Sequence, residues 1–278
     1  MKIAVLSGKG GTGKTFVSVN LACAAKPSVY VDCDVEEPNG HLFLKPVVME
    51  RPSVMVMVPE VDMEKCTRCR KCVDFCKYNA LALVNDKMLI FYEICHSCGG
   101  CALFCPAKAM TEKERAVGTI EDGWSGAVKV LTGYLNTGEA SGVPIIKELL
   151  DKLCEEDDIV IDCPPGSACI VMESIREADY CVLVAEPTLF GVHNLSMVYE
   201  LVKLFRKPFG VVLNKCLPEK NPSKQFCLEH DISILAEIPY DEELGRLNSQ
   251  GHIAVREDKR YLGLFKTLLE SIKKEVAL

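Results

Sequence analysis

Apolar runs and amphipathic segments alternate along most of the chain. Short continuous apolar runs are typical of strands that are buried on both faces of a parallel sheet. They predict strands at Ile3–Leu6, Val29–Asp32, Val128–Leu131, Asp158–Asp162, Tyr180–Ala185, Phe209–Asn214 and Ile232–Ile238. Between the strands, helical spacing predicts helices at Phe16–Ala25, Ile145–Leu153, Cys169–Ala178, Val192–Phe205 and Pro222–His230, and two more that start at Asp241 and Tyr261. The alternation predicts an α/β fold with a doubly wound, mostly parallel sheet.

A cysteine-dense stretch interrupts this alternation. It begins at Pro59 and persists to about Met110, and a charged, glycine-containing stretch, Thr111–Gly126, leads back to the α/β pattern. We therefore predict an α/β domain made of residues 1–58 and 116–278, which is divided by an inserted module at residues 59–115.

The first strand is followed by a glycine-rich turn that leads into a helix. Its sequence matches the phosphate-loop pattern G-x-x-x-x-G-K-[S/T] and reads Gly8-Lys9-Gly10-Gly11-Thr12-Gly13-Lys14-Thr15. The glycines allow the backbone N–H groups of such a turn to approach a phosphate, and the positive end of the helix faces the same anion. Lys14 is predicted to contact the β- and γ-phosphates, and the Thr15 hydroxyl to bind Mg²⁺. The turn therefore predicts a site for ATP or ADP.

The loop contains a second lysine, Lys9, directly after its first glycine. In this respect the sequence resembles the deviant Walker A ATPases, the MinD, ParA and Mrp families and the nitrogenase iron protein, which share the loop K-G-G-x-G-K-[S/T]. In that family the extra lysine crosses a dimer interface to the partner's nucleotide. The resemblance therefore implies a homodimer that encloses two ATP molecules, and a catalytic role for Lys9 beside Lys14. A solvated lysine is the alternative.

Two strand ends extend the resemblance. Asp162 ends a buried strand and is followed by Cys163-Pro164-Pro165-Gly166, which is similar to the family's Walker B strand and second switch, D-x-P-P-G. The resemblance implies that Asp162 holds Mg²⁺ through water and that Gly166 presents its N–H to the γ-phosphate. Asp34 resembles the first-switch acid that positions or activates the attacking water, and Asp32 is the alternative acid on the metal side.

Two later segments complete the predicted nucleotide site. In the family, an asparagine in the position of Asn214 contacts adenine, and the segment that contains Pro239 lines the same base. The resemblance therefore implies that Asn214 and Pro239 bind the base of ATP or ADP. The segment Glu186-Pro187-Thr188 also resembles a family segment, but its sequence assigns it no role.

Eight of the 16 cysteines form two copies of the pattern C-x₂-C-x₂-C-x₃-C. The insert thereby resembles a bacterial two-cluster ferredoxin, a small α+β domain in which the fourth cysteine of each copy binds the other cluster. The resemblance implies one 4Fe–4S cluster on Cys66, Cys69, Cys72 and Cys105, and a second on Cys76, Cys95, Cys98 and Cys101. Paired zinc sites are the alternative, but they would leave the third and fourth cysteines of each copy without a tetrahedral set.

The overall composition limits the remaining function classes. The net charge of −7 argues against a non-specific nucleic-acid binder, and no apolar run approaches the length of a membrane span. Cysteines in this number without an export signal are more consistent with metal ligands than with disulfides, so we expect a cytoplasmic protein. Most of the other eight cysteines are expected to be buried. The apolar stripe from Tyr261 to Leu278 is expected to pack on the sheet, with a MinD-like membrane helix as the alternative.

These features together predict an ATP-hydrolysing iron–sulfur protein. Its nucleotide state is expected to control electron transfer, or the delivery of a cluster or metallocofactor, to a client protein. Two alternatives remain open. One is a spatial organiser similar to MinD or ParA with structural or sensory clusters, and the other is a ferredoxin-type electron carrier with a regulatory nucleotide site.

Overall fold

The computed structural model describes residues 1–153, 158–218 and 221–277. Within these ranges, seven parallel strands form the centre of one large sheet. In spatial order they are β12 (Ile234–Pro239), β11 (Phe209–Cys216), β10 (Tyr180–Ala185), β1 (Lys2–Leu6), β9 (Asp158–Asp162), β2 (Ser28–Asp32) and β8 (Val128–Leu135). Because β1 lies between β9 and β10, the glycine-rich turn that follows it is at the centre of the carboxyl edge of the sheet.

Helices cover both faces of this sheet. One face packs against α5 (Val143–Asp151), α6 (Cys169–Ile175), α7 (Leu189–Leu204) and α8 (Pro222–Glu229). The other packs against α1 (Lys14–Ala24), α2 (Gly40–Leu44), α9 (Glu242–Ser249), α10 (Ala254–Glu257) and α11 (Lys259–Val276). Alternate residues of β1 enter the two cores, which explains why the strand is apolar throughout. The predicted fold class is confirmed.

The sheet has an antiparallel extension that the sequence analysis did not predict. β7 (Met110–Ser125) pairs with β8 along one edge, and its other edge pairs with β3 (Val47–Glu50) and β4 (Ser53–Val61). In the first half of β7 most side chains are exposed, so charged residues are accommodated on both faces of the strand. Its sequence therefore lacks the apolar alternation by which a strand is recognised.

The cysteine-rich residues 62–109 leave the sheet after β4 and return at β7. They contain α3 (Lys71–Phe75), α4 (Gly100–Leu103), a 3₁₀ helix at Tyr92–Ile94, and a hairpin of β5 (Leu81–Val84) and β6 (Lys87–Ile90). A small core of their own includes Leu81 and Cys101. Because β4 and β7 run through residues 59–61 and 110–115, strands of the large sheet cross both predicted boundaries of the module. The division into two domains stays a prediction.

Helix α11 packs on the sheet, as expected. Its apolar stripe is buried at Phe265, Leu268, Leu269 and Ile272, and the Phe265 ring meets Phe16 of α1 edge-to-face at 5.9 Å between centroids. In the described ranges, we find no helix with the length and apolar character that crossing a membrane requires.

The cysteines outside the two repeated patterns are mostly buried, as expected. Cys23, Cys33, Cys163, Cys181 and Cys227 are buried, whereas Cys216 is half-buried and Cys169 is exposed. Cys154 lies outside the described residues.

Candidate functional site

The glycine-rich turn at residues 8–15 is packed too closely for side chains at two of its positions. A Cβ at Gly8 would overlap the Asn194 carbonyl oxygen, and a Cβ at Gly13 would overlap the side-chain amide of Asn214. Gly13 also has φ of 95°, which favours glycine, and it precedes α1, whose first turn has no side-chain cap. The turn therefore leaves backbone N–H groups at a helix N-terminus available to a phosphate.

Lys14 lies in a cluster of buried carboxylates. Its Nζ donates to Asp162 Oδ1 at 2.6 Å and lies 3.9 Å from Asp34 Oδ2. Burial opposes its charge, but the nearby carboxylates of Asp162, Asp32 and Asp34 outweigh burial and raise the pKa of Lys14. Lys14 is therefore a buried cation, and a phosphate in the turn would give it a further anionic partner.

Asp162 is fully buried at the end of β9 and is held from several sides. The Tyr30 hydroxyl donates to its Oδ2 at 2.8 Å, and Ser18 Oγ donates to its Oδ1 at 3.1 Å. These contacts orient the Asp162 carboxylate, which the family resemblance predicts to hold Mg²⁺ through water. The sequence analysis missed Tyr30 and Ser18, because a tyrosine in an apolar strand and a serine in a helix carry no distinguishing pattern.

The structure gives Asp32 and Asp34 different surroundings. Asp32 is fully buried and accepts hydrogen bonds from the Gly40 N–H at 2.9 Å and the Asp34 N–H at 3.2 Å, so it fixes the turn after β2. Asp34 lines the nucleotide cavity described next. Burial, followed by the charge of Asp162, raises the pKa of Asp32 to about 7, and burial raises the pKa of Asp34 to about 6.

A cavity of about 550 Å³ adjoins the glycine-rich turn. Its lining brings together residues predicted to bind phosphate, Gly10, Gly11, Gly13, Lys14 and Thr15, and residues predicted to bind the base, Asn214 and Pro239. Asn214 Nδ2 also donates to the Thr12 carbonyl oxygen at 2.8 Å, which ties the end of β11 to the turn. We call this space the nucleotide cavity.

The Lys9 side chain is bound to residues of its own chain. Its Nζ forms an ion pair with Glu186 and lies 4.8 Å from the centre of the Phe190 ring. Glu186 Oε2 also lies 3.7 Å from Lys215 Nζ, which donates to the Gly11 carbonyl oxygen at 2.7 Å. The sequence assigns no role to Glu186. It pairs with Lys9 of the glycine-rich turn and with Lys215, which is itself hydrogen-bonded to the turn.

Gly166 makes a contact different from the expected one. Its N–H donates to the Ser7 carbonyl oxygen at 2.9 Å, and its φ is 94°. A contact from this N–H to a γ-phosphate would require that hydrogen bond to open. The neighbouring Pro165 lines the nucleotide cavity, so the predicted second switch adjoins the site.

The insert contains two small cavities, each lined by four of the patterned cysteines. The first is lined by Cys66, Cys69, Cys72 and Cys105, and the second by Cys76, Cys95, Cys98 and Cys101. These are the two sets that the ferredoxin resemblance implies, including the exchange of the fourth cysteines. In the part of the chain that the structure describes, no three His, Cys, Asp or Glu side chains form a group that could hold a metal ion. A cubane places each thiolate on a different iron, so its ligands surround a larger body than one ion.

Interactions between thiols follow the same two sets. Burial raises the pKa of Cys72, and the neighbouring Cys105 and Cys66 add to this increase. Burial also raises the pKa of Cys95, with a contribution from Cys76. The fourth cysteine of each copy therefore lies close enough to one cysteine of the other copy to raise its pKa.

The chain is similar in sequence to a family of nucleotide-binding proteins. Residues 3–255 match the family described as the CobQ/CobB/MinD/ParA nucleotide binding domain. The chain belongs to this family and is a P-loop ATPase.

Individual relatives agree with this assignment. The chain is 30% identical over 229 residues to the uncharacterized protein MJ0579 of Methanocaldococcus jannaschii, which covers 77% of the chain and 80% of the relative. It is 24% identical over 268 residues to the septum site-determining protein MinD of Synechocystis, with coverages of 92% and 82%. A separate match, 39% identical over 57 residues, is to an uncharacterized ferredoxin, MJ0722, of M. jannaschii and covers 19% of the chain and 74% of the ferredoxin.

Solved structures share the fold over nearly the whole chain. The MinD protein of Pyrococcus horikoshii complexed with Mg-ADP has a TM-score of 0.60 at 20% identity, covering 98% of this chain and 96% of that one. A MinC:MinD complex from Aquifex aeolicus has a TM-score of 0.58 at 15% identity, with coverages of 98% and 95%.

The close packing of Gly8 leads to a stability prediction. Because a Cβ at this position overlaps the backbone of α7, Gly8→Ala is expected to lower the free energy of unfolding by about 1–3 kcal/mol. The matched control is Gly263→Ala in α11, where a Cβ meets nothing within 4 Å and helix propensity should raise stability by about 0.5–1 kcal/mol. Urea unfolding measures both, and equal effects of the two substitutions would contradict the packing argument.

Proposed function

We propose that the chain is a MinD/ParA-like ATPase whose nucleotide cycle is coupled to an insert that carries two 4Fe–4S clusters. The observation that carries this proposal is the pair of cysteine cavities, because two copies of one motif fold so that each contributes its fourth cysteine to the other. The local similarity to a ferredoxin supports the same assignment. When bound, such clusters supply one-electron transfer.

The proposed ATPase site uses the residues around the nucleotide cavity. Lys14 and the backbone of the turn bind the phosphates, Thr15 binds Mg²⁺, and Asp162 holds the same ion through water. Asp34 positions the attacking water, and Asn214 and Pro239 contact the base. The buried carboxylate cluster around Lys14 supports these roles, since a cation and oxygen ligands are already grouped at the phosphate end.

The proposed partners are a second copy of the chain and a client protein. Two protomers enclose two ATP molecules, and Lys9 leaves Glu186 to reach the nucleotide of the other protomer. The client belongs to metallocofactor assembly or to a low-potential redox system in the cytoplasm. The position of Lys9 within the turn supports the dimer, because a movement of its side chain would free the ammonium from Glu186.

A spatial organiser is the second candidate function, and the similarity to MinD proteins is the observation that favours it. In this alternative the clusters are structural or sensory, and nucleotide state controls binding to a surface or a partner. The buried apolar face of α11 argues against the variant in which that helix binds a membrane, because its apolar side chains are already packed.

Rates of ATP hydrolysis and binding to surfaces together distinguish the two candidates. The full chain is purified without oxygen, and its ATPase rate is measured with the iron–sulfur centres reduced and oxidised. We expect the rates to differ, because the insert and the nucleotide site share one sheet. In parallel, binding of the ATP-bound chain to phosphatidylglycerol vesicles and to duplex DNA is measured. Equal rates together with ATP-dependent binding to either surface would favour the organiser and contradict redox coupling.

A further inference from the structure

One side chain in the nucleotide cavity has a buried polar atom without a partner. Asn248 lies on α9 and lines the cavity, and its Oδ1 is buried and accepts no hydrogen bond from the described residues. Buried carbonyl oxygens are nearly always hydrogen-bonded, because an unmade bond leaves their loss of hydration uncompensated. An acceptor of this kind at the wall of a ligand cavity points to a donor on the ligand.

Several donors in the lining that Asn248 shares are already used. Asn214 Nδ2 donates a hydrogen bond to the Thr12 carbonyl oxygen at 2.8 Å, and its Oδ1 remains as an acceptor. The first N–H groups of α9 are already used, since those of Glu243 and Leu244 donate to Asp241 Oδ1 at 2.8 and 3.2 Å. The Oδ1 atoms of Asn214 and Asn248 are therefore acceptors in the lining of the cavity.

Apolar side chains complete this part of the lining. Phe43, Pro239 and Leu244 line the cavity together with Asn248, and they provide apolar surface on which a flat purine ring could pack. Adenine carries a 6-amino group, which donates hydrogen bonds. Guanine and hypoxanthine carry a 6-oxo group, which accepts them and would repel an amide oxygen.

We propose that Asn248 accepts a hydrogen bond from the 6-amino group of the base, and that it makes the site specific for adenine nucleotides. The inference rests on the proposed function to the extent that the cavity binds a nucleotide. It adds a residue that no sequence motif marks, in a helix that follows the predicted base-binding segment.

Three nucleotides that differ only at purine position 6 test this role. Their affinities for the full chain are measured by titration calorimetry with Mg²⁺: ADP has a 6-amino group, purine riboside diphosphate has hydrogen, and IDP has a 6-oxo group. We expect the chain to bind ADP about tenfold more tightly than either of the others. Asn248→Ala is expected to bring all three affinities to similar values, mainly by lowering the affinity for ADP.

Two further variants keep the test independent of folding. Asn248→Asp retains an acceptor at the same position and is expected to keep the preference for ADP. Ser249→Ala is the matched control, because the Ser249 hydroxyl donates to the Arg246 carbonyl oxygen and the side chain does not line the cavity. This variant is expected to show the affinities of the unsubstituted chain, and thermal unfolding of each variant is measured alongside.

The possible failures are distinguishable. If the unsubstituted chain binds all three nucleotides equally, or prefers IDP, the role of Asn248 is overturned while the nucleotide site stands. If Asn248→Ala keeps the full preference for ADP, another group recognises the base and the role is again overturned. If none of the three nucleotides binds, the nucleotide site itself is overturned, and the proposed function with it.

Discussion

Lys14→Ala is expected to lower the rate of ATP hydrolysis by about 100-fold or more. The ammonium is the buried cation at the phosphate end of the nucleotide cavity, and its loss removes the charge that stabilises the transferred phosphoryl group. The substitution also leaves Asp162 and its neighbours without a buried cation, so the free energy of unfolding is expected to fall by about 3–5 kcal/mol. Steady-state phosphate release and urea unfolding measure the two effects.

Two further variants separate catalysis from folding. Thr15→Ala removes the proposed Mg²⁺ ligand but keeps the ion pair of Lys14 with Asp162, so it should impair hydrolysis with little loss of stability. Lys273→Ala is the control, because Lys273 pairs with Asp158 at the opposite edge of the sheet from the nucleotide cavity. Its ATPase rate should not change. Hydrolysis at the unsubstituted rate in Lys14→Ala would contradict the assigned site.

Cys105→Ser is expected to abolish the cluster of the first cysteine copy. Cys105 belongs to the second copy by sequence, but it lines the cavity of Cys66, Cys69 and Cys72. Iron in protein purified without oxygen should fall from about eight to about four atoms per chain, and the remaining spectrum should match that of Cys69→Ser. Cys76→Ser should instead match Cys98→Ser. Iron analysis and electron paramagnetic resonance of the reduced proteins measure these results.

The pairing of variants makes this experiment specific. If each copy of the motif bound its own metal, Cys105→Ser would match Cys98→Ser, and the crossed assignment would be wrong. Zinc in place of iron would reject the clusters altogether. Cys169→Ser is the control, because Cys169 is exposed and lies outside the insert, and its iron content should equal that of the unsubstituted chain.

The sequence predicts the parallel core well because burial on both faces leaves a clear signal. Asp158–Asp162 and Tyr180–Ala185 are strands with the predicted ends. Other boundaries differ where a local interaction decides them. Helix α7 begins at Leu189 instead of Val192, because the Thr188 hydroxyl accepts a hydrogen bond from the Gly191 N–H at 2.8 Å. The charged strand β7 had no comparable signal.

The candidate site is predictable only where its residues form a local motif. The glycine-rich turn, Asp162 and the cysteine copies are contiguous patterns, and the structure groups them around cavities as expected. Tyr30 and Glu186 contact residues that are distant in sequence, and Asn248 lines a cavity formed by distant segments, so the sequence assigned a role to none of them. Gly166 shows the opposite case, because its motif was recognised but its N–H is bonded to Ser7.

The order of strands has a consequence for how the protein is made. β1 carries the glycine-rich turn, but its two neighbours are β9 and β10, which are translated more than half a chain later. The ribbon of β4 and β7 encloses the cysteines and pairs only residues up to Thr119. On a ribosome, the segment that is proposed to bind iron is therefore complete before β9 and β10 are translated, when the nucleotide cavity does not yet exist. If the proposed clusters are inserted at that stage, their first insertion does not depend on ATP, although a later release of a cluster can.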